Sequence, residues 1–356
     1  MTAEDTPPAE VATIGESLVV LSPGRSVSLS EAELLDVAVG GAESNVAVAL
    51  AGLGHRARWV SRVGDDPFGR MVLGRIGAAG VAVDLVQVDP RARTGVYAKD
   101  PGPDGTRVHY YRAGSAASRM DPSMVDDPRL AGARVLHLSG ITPALSRTCH
   151  ALVEHALVDR PVPGALVSFD VNHRPALWPT RRAAPVLRRL ADRADVVLVG
   201  QDEAYALWGT SDAAAVRRLL PGPQWVVVKD GAVAATAVPR GGPAAVVPAL
   251  RVPVVEPVGA GDAFAAGFLS GLLRGLDPVA GLRLGHLLAA RTLAVAADTA
   301  PPADRAQLDA LAELPEAQWA RLAPVAAGIL PALDRCGDGP VDPAGVSVPG
   351  RQGVAS

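Results

Sequence analysis

Cysteine is scarce in this sequence, which has only two, Cys149 and Cys336, among 356 residues. The two lie far apart and outside any Cys-x-x-Cys or Cys/His cluster, so we expect neither a disulfide framework nor a zinc site. The first ten residues contain three acidic side chains and no apolar run, and we therefore expect no secretory signal. These features are typical of a cytoplasmic protein.

An excess of charge of one sign is also missing. Lys and Arg total 34 and Asp and Glu total 37, so the net charge is −3, and no basic block is present. We therefore expect no nucleic-acid partner and no membrane partner, and a small-molecule ligand instead. The most apolar stretch, residues 261–276, contains Asp262 and Arg274 and is short for a bilayer span, which predicts buried core.

The chain does have length and an alternating pattern. It is long enough to bury a large core, as one large α/β domain or as two domains. Strand-like runs alternate with helix-like segments, which predicts an α/β fold with a mostly parallel sheet flanked by helices on both faces. We expect strands at 11–20, 57–63, 134–138, 166–171, 195–199 and 224–229, and helices at 43–53, 67–79, 144–158, 182–191 and 203–208.

Two internal stretches and the C-terminal region depart from this alternation. Residues 18–39 and 94–112 are expected to form hairpin strands inserted into the main domain. From residue 300 onward eight prolines exclude a long helix, and the last twenty residues, rich in Gly and Pro, predict a flexible tail. We therefore divide the chain into a main domain, residues 1–315, and a C-terminal extension, residues 316–356.

The sharpest motif is Gly259-Ala260-Gly261-Asp262. It opens a helix-like segment, where small residues let the N-terminal amides of a helix approach an anion closely. There Asp262 could accept a proton from an attacking hydroxyl while the amides stabilise charge on a transferred phosphoryl group. The alternative is a plain glycine turn in which Asp262 only caps the helix.

A second motif, Gly40-Gly41 followed by Asn45, precedes another helix-like segment. The two glycines let the backbone face a ligand, and an Asn side chain can both donate to and accept from sugar hydroxyls. A tight turn capped by Ser44 or Asn45 is the alternative.

Other candidates follow predicted strands, where open α/β sheets bind their ligands. Arg174 is a planar cation suited to a carboxylate or a phosphate, whereas its neighbour His173 is expected to pack or to face solvent rather than to act as a base. Glu203 and the segment 229–231 could reach a nucleotide or its metal, with a surface position as the equal alternative. In the second inserted stretch, Tyr110-Tyr111-Arg112 places two aromatic rings beside a cation, with a solvated strand edge as the alternative.

In this order, the motifs between residues 11 and 299 resemble those of the ribokinase-like (PfkB) carbohydrate kinases. Gly40-Gly41 with Asn45 matches the amino-terminal signature, and residues 259–264 match the carboxyl-terminal one. The resemblance implies a ribokinase-like, doubly wound sheet with a small β-lid, to which the two inserted stretches would contribute. We expect two or more copies of the chain to pair through this lid.

The resemblance also implies the chemistry. The chain would be a carbohydrate kinase that uses ATP and Mg²⁺, with Asp262 as the general base and Gly259, Ala260 and Gly261 as the anion hole. Residues 110–118, 137–145 and 170–175 are most similar to the branch of the family that phosphorylates 2-keto-3-deoxygluconate. A monovalent cation is allowed near residues 256–258, where this chain reads Glu-Pro-Val and many members read Asp-Thr-x.

The same resemblance assigns roles to individual positions. The sugar acid would be contacted by Gly40, Gly41, Asn45, Tyr97, Tyr110, Arg112, Arg174 and Asp298. The nucleotide side would be lined by Asn172, Glu203, Lys229, Gly231, Ala234, Gly259 and Gly261, with Glu203 acting indirectly on the metal.

Two arginines favour an acidic substrate. A neutral sugar would leave Arg112 and Arg174 partly unpaired, whereas a carboxylate would form charge-assisted hydrogen bonds with them. A fructokinase or other neutral-sugar kinase is the first alternative, because an Asp-x-Asn-x-Arg-Pro string like that of residues 170–175 also occurs in fructokinase-like proteins. A non-catalytic sugar sensor with the same fold is the second.

Overall fold

The computed structural model describes residues 8–23, 27–102 and 105–322. The strands in these ranges are β1 (Val11–Ile14), β2 (Leu18–Pro23), β3 (Leu35–Gly40), β4 (Ala57–Gly64), β5 (Val86–Asp89), β6 (Val96–Gly102), β7 (Gly105–Tyr111), β8 (Val135–Ser139), β9 (Leu166–Asp170), β10 (Val196–Gly200), β11 (Trp225–Asp230), β12 (Ala234–Pro239) and β13 (Ala245–Pro248). The helices are α1 (Ala42–Gly52), α2 (Pro67–Ala78), α3 (Thr142–Leu145), α4 (Arg147–Val158), α5 (Thr180–Ala191), α6 (Gln201–Trp208), α7 (Ala213–Leu219), α8 (Ala260–Arg274), α9 (Pro278–Leu293), α10 (Arg305–Ala312) and α11 (Glu316–Leu322).

The main sheet has nine strands in the order β13-β12-β11-β10-β9-β8-β1-β4-β5. Every neighbouring pair from β11 to β5 is parallel, and only β12 and β13 are added in antiparallel fashion. In β10, Val196 and Leu198 belong to one hydrophobic core while Val197 and Val199 belong to another. Since successive strand residues face opposite sides, the sheet is covered on both faces, and the predicted α/β class is confirmed.

A second, smaller sheet has the order β3-β2-β6-β7 and is called the lid below. Its strands come from the two stretches, 18–39 and 94–112, that departed from the alternating pattern. Leu18, Val20 and Tyr97 are buried together on one side of it. The predicted small β-lid is therefore present, while the pairing of copies through it stays a prediction.

Two predicted elements are wrong at their boundaries. The strand expected at 11–20 is divided, because the chain leaves the main sheet at Gly15 and enters the lid at Leu18. A Cβ at Gly15 would lie 2.0 Å from the carboxyl carbon of Glu43, so the crossing point is closely packed. The helix expected at 144–158 is also divided, because Ser146 starts a new helix by accepting a hydrogen bond from the backbone N–H of Cys149 at 3.1 Å.

The predicted boundary at residue 315 falls too early. Trp319 of α11 is 1% exposed and belongs to a main-domain core, and its Nε1 donates to the Pro248 carbonyl at 3.2 Å. The guanidinium of Arg283 lies 5.1 Å from the centre of its ring. The packed domain therefore continues at least to Leu322, and the predicted tail and Cys336 lie outside the described residues.

None of the helices in the described ranges combines the length and the apolar character that a bilayer crossing requires. The stretch predicted as buried core, residues 261–276, lies mainly in α8, in which ten residues are buried, and that prediction is confirmed.

Candidate active site

A cavity of about 590 Å³ lies between the lid and the carboxyl ends of the main-sheet strands. Most of the predicted site residues come together there, although they are spread over more than 250 positions of the chain. The predicted residues that line it are Gly40, Gly41, Asn45, Tyr97, Tyr110, Arg112, Asn172, Arg174, Glu203, Lys229, Gly259, Gly261, Asp262 and Asp298.

Three predicted residues do not line the cavity. Gly231 lies in the turn after β11, Ala234 begins β12, and Ala260 is the first residue of α8. Lys229 was expected in a loop on the nucleotide side, but it belongs to β11 and its ammonium lies in the interior of the site. The assignment of Gly231 and Ala234 to the nucleotide side stays a prediction.

The residues predicted to form the anion hole lie at the start of α8. Gly259 caps this helix with φ = 85°, and a Cβ there would lie 1.9 Å from the carbonyl oxygen of Asp298, so both conformation and space require glycine. A Cβ at Gly261 would lie 3.5 Å from Lys229 Nζ. The positive end of a 15-residue helix thus opens on the cavity beside a cation.

Asp262 is not a helix cap. It is the third residue of α8, whose capping position is Gly259, with no side-chain capping hydrogen bond. Instead, its Oδ2 accepts a hydrogen bond from Asn45 Nδ2 at 2.8 Å. Asn45 is likewise not a cap, because α1 is capped by Gly41 without a side-chain bond. The capping alternatives for Asn45 and Asp262 are therefore wrong.

The environment of Asp262 makes it a weaker acid than usual. Burial raises the pKa of its carboxyl to about 7, and the nearby negative charge of Asp170 acts in the same direction. The hydrogen bond from Asn45 and the charges of Arg174 and Lys229 act in the opposite direction. A carboxyl with a pKa near neutrality is well matched to accepting a proton from a hydroxyl.

An ion pair that was not predicted lies beside this carboxyl. Lys229 Nζ lies 2.8 Å from Asp170 Oδ2. Burial by itself would lower the pKa of Lys229, but the charges of Asp170, Glu203 and Asp262 outweigh it and raise that pKa. Lys229 is therefore a firmly charged ammonium. Asp170 ends β9, so its position at a strand carboxyl end was the signal that could have identified it.

Hard oxygen atoms collect on the same side of the cavity. The buried Oδ1 of Asn172 has no hydrogen-bond partner among the described residues, and Asn172 has φ = 39°. Glu203 accepts hydrogen bonds from the backbone N–H groups of His173 and Gly200, and burial raises its pKa.

These oxygens fit Mg²⁺ that arrives with a nucleotide. Mg²⁺ is commonly held by one or two protein oxygens together with substrate phosphates, and Asn172, Asp170 and Glu203 offer such oxygens. In the described part of the chain, no group of three or more His, Cys, Asp and Glu side chains could hold a metal on their own.

On the sugar side of the cavity, Arg112 has a partner within the protein that was not predicted. Its guanidinium forms an ion pair with Glu16, and both side chains are buried. Ser115 Oγ donates to the same carboxylate at 2.5 Å. Arg112 therefore has a counter-charge even with a neutral sugar bound, which weakens the preference for an acid that was inferred from this residue. Glu16 lies 96 positions away in the sequence, and no local pattern singled it out.

Arg174 is the stronger indication of an acidic substrate. Its side chain is exposed at the cavity, and within the described ranges no carboxylate lies within ion-pair distance of it. The Nε of Arg112 is also buried without a hydrogen-bond partner in those ranges. Among the described residues of the site, Arg174 is thus a cation without an ion-pair partner, and Arg112 Nε is a buried N–H donor without a hydrogen-bond partner.

Two other predicted residues, Gly40 and Tyr97, meet at Asp298. Tyr97 Oη donates to Asp298 Oδ2 at 2.8 Å, and a Cβ at Gly40 would lie 2.3 Å from the same oxygen. Tyr110 stands next to Tyr97, with ring centres 5.7 Å apart, and the Arg112 guanidinium lies 5.4 Å from the centre of the Tyr110 ring. Tyr111 points outward and is 67% exposed.

Comparison with known proteins decides the family. Residues 9–304 match the pfkB family of carbohydrate kinases. The chain belongs to this family. This carbohydrate kinase is 36% identical to a 2-dehydro-3-deoxygluconokinase of Thermoproteus tenax, over 80% of its own chain and 88% of the relative. It is 34% identical to a 2-dehydro-3-deoxygalactonokinase of Haloferax volcanii, over 82% and 93%, and 33% identical to a fructokinase-1 of Oryza sativa, over 75% and 84%.

Solved structures of similar kinases have the same fold. A 2-dehydro-3-deoxygluconokinase from Thermotoga maritima superimposes with a TM-score of 0.76 at 26% identity, over 86% of this chain and 99% of that one. A fructokinase from Xylella fastidiosa with bound ATP gives a TM-score of 0.74 at 26% identity, over 84% and 98%. The predicted ribokinase-like fold and carbohydrate kinase activity are confirmed.

Proposed function

We propose that this kinase transfers a phosphoryl group from ATP to a 2-keto-3-deoxy sugar acid, foremost 2-keto-3-deoxygluconate, to form 2-keto-3-deoxy-6-phosphogluconate. The observation that carries the proposal is Arg174, a cation at the cavity with no carboxylate within ion-pair distance in the described ranges. The unpartnered Nε of Arg112 adds a buried donor. Relatives named for 2-keto-3-deoxy acids, at 34–36% identity, support the same substrate class.

The reaction needs a general base, a nucleophilic hydroxyl, and groups that stabilise negative charge on the transferred phosphoryl group. Asp262 accepts the proton of a sugar hydroxyl, the freed oxygen attacks the γ-phosphorus, and the bond between that phosphorus and the leaving ADP oxygen breaks. The amides at the start of α8 and the ammonium of Lys229 stabilise the charge on the transferred group. Asn172 Oδ1, whose hydrogen-bonding capacity is unused among the described residues, would help to hold Mg²⁺ together with the nucleotide phosphates, and the bound ion would neutralise charge on the nucleotide.

Selectivity for an acid follows from Arg174. A hydrogen bond between a cation and a carboxylate contributes ~1.5–3 kcal/mol, which is ~10–100-fold in affinity. A neutral sugar cannot form this bond. A second candidate function, fructose phosphorylation, is favoured by the Glu16 carboxylate, which already balances Arg112, and by the fructokinases among the relatives.

The test measures ADP release with Mg-ATP and equal concentrations of 2-keto-3-deoxygluconate, 2-keto-3-deoxygalactonate, gluconate, fructose and ribose. Turnover confined to the keto-deoxy acids is the expected result, and the ratio of kcat/KM between the two epimers then names the preferred one. Turnover on fructose alone would replace the proposal with the neutral-sugar function. Sugar binding in calorimetry without ADP release from any of the five would favour the sensor.

A variant locates the selectivity. Arg174→Gln is expected to raise KM for the sugar acid ~10–100-fold and to leave KM for any neutral sugar unchanged. Arg70→Gln is the matched control, because Arg70 is 66% exposed and does not line the cavity. An equal loss on acidic and neutral sugars would show that Arg174 does not read the carboxylate.

A further inference from the structure

Lysine use in this chain is highly selective. Of its 34 Lys and Arg residues, only Lys99 and Lys229 are lysines. Lys229 stands beside Gly261 of the anion hole, and Lys99 is 5% exposed. Arginine carries a broad planar fork, whereas lysine carries a compact point charge. The chain therefore places its two lysines at enclosed positions, Lys229 in the active-site cavity and Lys99 on the lid.

Lys99 connects the lid to the main domain. It lies on β6, two residues after Tyr97, so both side chains project from the same face of the strand. Its Nζ lies 2.8 Å from Glu256 Oε2 and 3.2 Å from Asp298 Oδ1. Tyr97 takes the other oxygen of Asp298. Two side chains on one face of β6, Tyr97 and Lys99, thus contact the two carboxylate oxygens of Asp298 in the main domain.

Both carboxylates that contact Lys99 are joined to the loop that forms the anion hole. Glu256 Oε1 accepts a hydrogen bond from the backbone N–H of Val258 at 3.2 Å. The carbonyl of Asp298 packs against Gly259 so closely that no Cβ fits between them. The Lys99 ammonium therefore contacts the two carboxylate residues that themselves contact Val258 and Gly259, in the turn before α8.

The charges explain why a cation is needed there. Glu256 and Asp298 are 15% and 5% exposed, and Asp262 is a third carboxyl of the same site. Without a counter-charge, two enclosed carboxylates would repel the phosphoryl group that the anion hole must bind. Lys99 supplies that counter-charge and also holds the two carboxylates in place.

We propose that Lys99 is a positioning residue for phosphoryl transfer, whose ammonium acts as a built-in cation of the anion-hole loop and ties that loop to the lid. It does not line the cavity, and it acts through Glu256 and Asp298. Since its ammonium already lies between these carboxylates, the loop needs no free monovalent cation, although one was allowed near residues 256–258.

The first measurement compares the native enzyme in sodium, potassium and tetramethylammonium salts, with the sugar of the panel that gives the highest rate. The outcome is then independent of which sugar that is. We expect kcat to agree within about twofold among the three salts, a difference of well under ~1 kcal/mol in the barrier. A requirement for potassium would overturn the proposal.

The second measurement removes the ammonium. Lys99→Met is expected to lower kcat ~10–100-fold, with a smaller change in KM for the nucleotide. In Lys99→Met, the carboxylates of Glu256 and Asp298 lose their counter-charge. Adding Glu256→Gln removes one of these two negative charges and is expected to restore part of the lost kcat. If the double variant is no faster than Lys99→Met, or if Lys99→Met stays within twofold of the native enzyme, the proposal fails.

Chemical rescue separates a charge from a mere packing role. In Lys99→Ala, added ammonium or methylammonium is expected to raise kcat in a saturable manner, and the native enzyme is expected to show no such response. Lys99→Arg, which keeps the charge, covers the case in which the smaller side chains prevent folding, and it is expected to retain more kcat than Lys99→Met. Absence of amine rescue in a folded Lys99→Ala would refute the cation role.

Discussion

The pKa of Asp262 leads to a sharp prediction about pH. A carboxyl with an ordinary pKa near 3.9 would be fully ionised throughout the neutral range. Because burial raises the pKa of Asp262 to about 7, only ~9% of the free enzyme carries the ionised base at pH 6, about half at pH 7 and ~91% at pH 8. The rate constant kcat/KM should therefore rise with pH, by about tenfold from pH 6 to pH 8.

The Asp262→Asn variant tests whether the rise of kcat/KM between pH 6 and pH 8 is caused by ionisation of this carboxyl. The amide has nearly the same shape and can still bond to Asn45 after a rotation, but it cannot accept the proton. We expect kcat to fall ~10²–10⁴-fold, the residual rate to lose its rise between pH 6 and pH 8, and the sugar dissociation constant to change little.

The assay is initial ADP formation in buffers from pH 5.5 to 9, with sugar binding measured separately by calorimetry. Arg174→Gln serves as a second perturbation, because the charge of Arg174 lowers the pKa of Asp262. Removing the charge of Arg174 should move the midpoint of the rise in kcat/KM to higher pH. A flat native profile between pH 6 and pH 8, or an Asp262→Asn variant within threefold of the native rate, would refute the base assignment.

Two further predictions concern binding and stability. Tyr97→Phe removes the 2.8 Å hydrogen bond to Asp298 and should raise the sugar KM ~3–10-fold; an unchanged KM would argue against Asp298 as a sugar contact. Trp319→Ala empties a site that is 1% exposed and should reduce the free energy of unfolding by ~3–5 kcal/mol in urea titrations. A loss below ~1 kcal/mol would show that α11 lies outside the cooperative domain.

Much of the fold could be predicted because its signals are local. The buried strands of a parallel sheet are short apolar runs, and β8 to β11 were recognised on that basis. Strands β5, β12 and β13 and helices α7, α9, α10 and α11 were not predicted. Trp319 illustrates the reason, since its burial depends on contacts with Arg283 and Pro248 that are remote in sequence.

The site divides in the same way. Gly259 and Gly41 were identified because a helix start that approaches a ligand requires residues without side chains, and that requirement is visible in a few consecutive letters. Asp262 was identified from its place next to such glycines. The motif alone is compatible with Asp262 as a general base or as a helix cap. Its 2.8 Å hydrogen bond from Asn45, 217 positions away, excludes the cap.

The sequence by itself determined the α/β class, the lid strands and the two glycine motifs, because each depends on backbone conformation and on periodic burial over short stretches. Tertiary structure alone decided the electrostatics. It paired Arg112 with Glu16, Lys229 with Asp170, and Lys99 with Glu256 and Asp298 at separations of 157 and 199 residues. The energy of a charge depends on its neighbours in space and on its distance from water, and folding sets both.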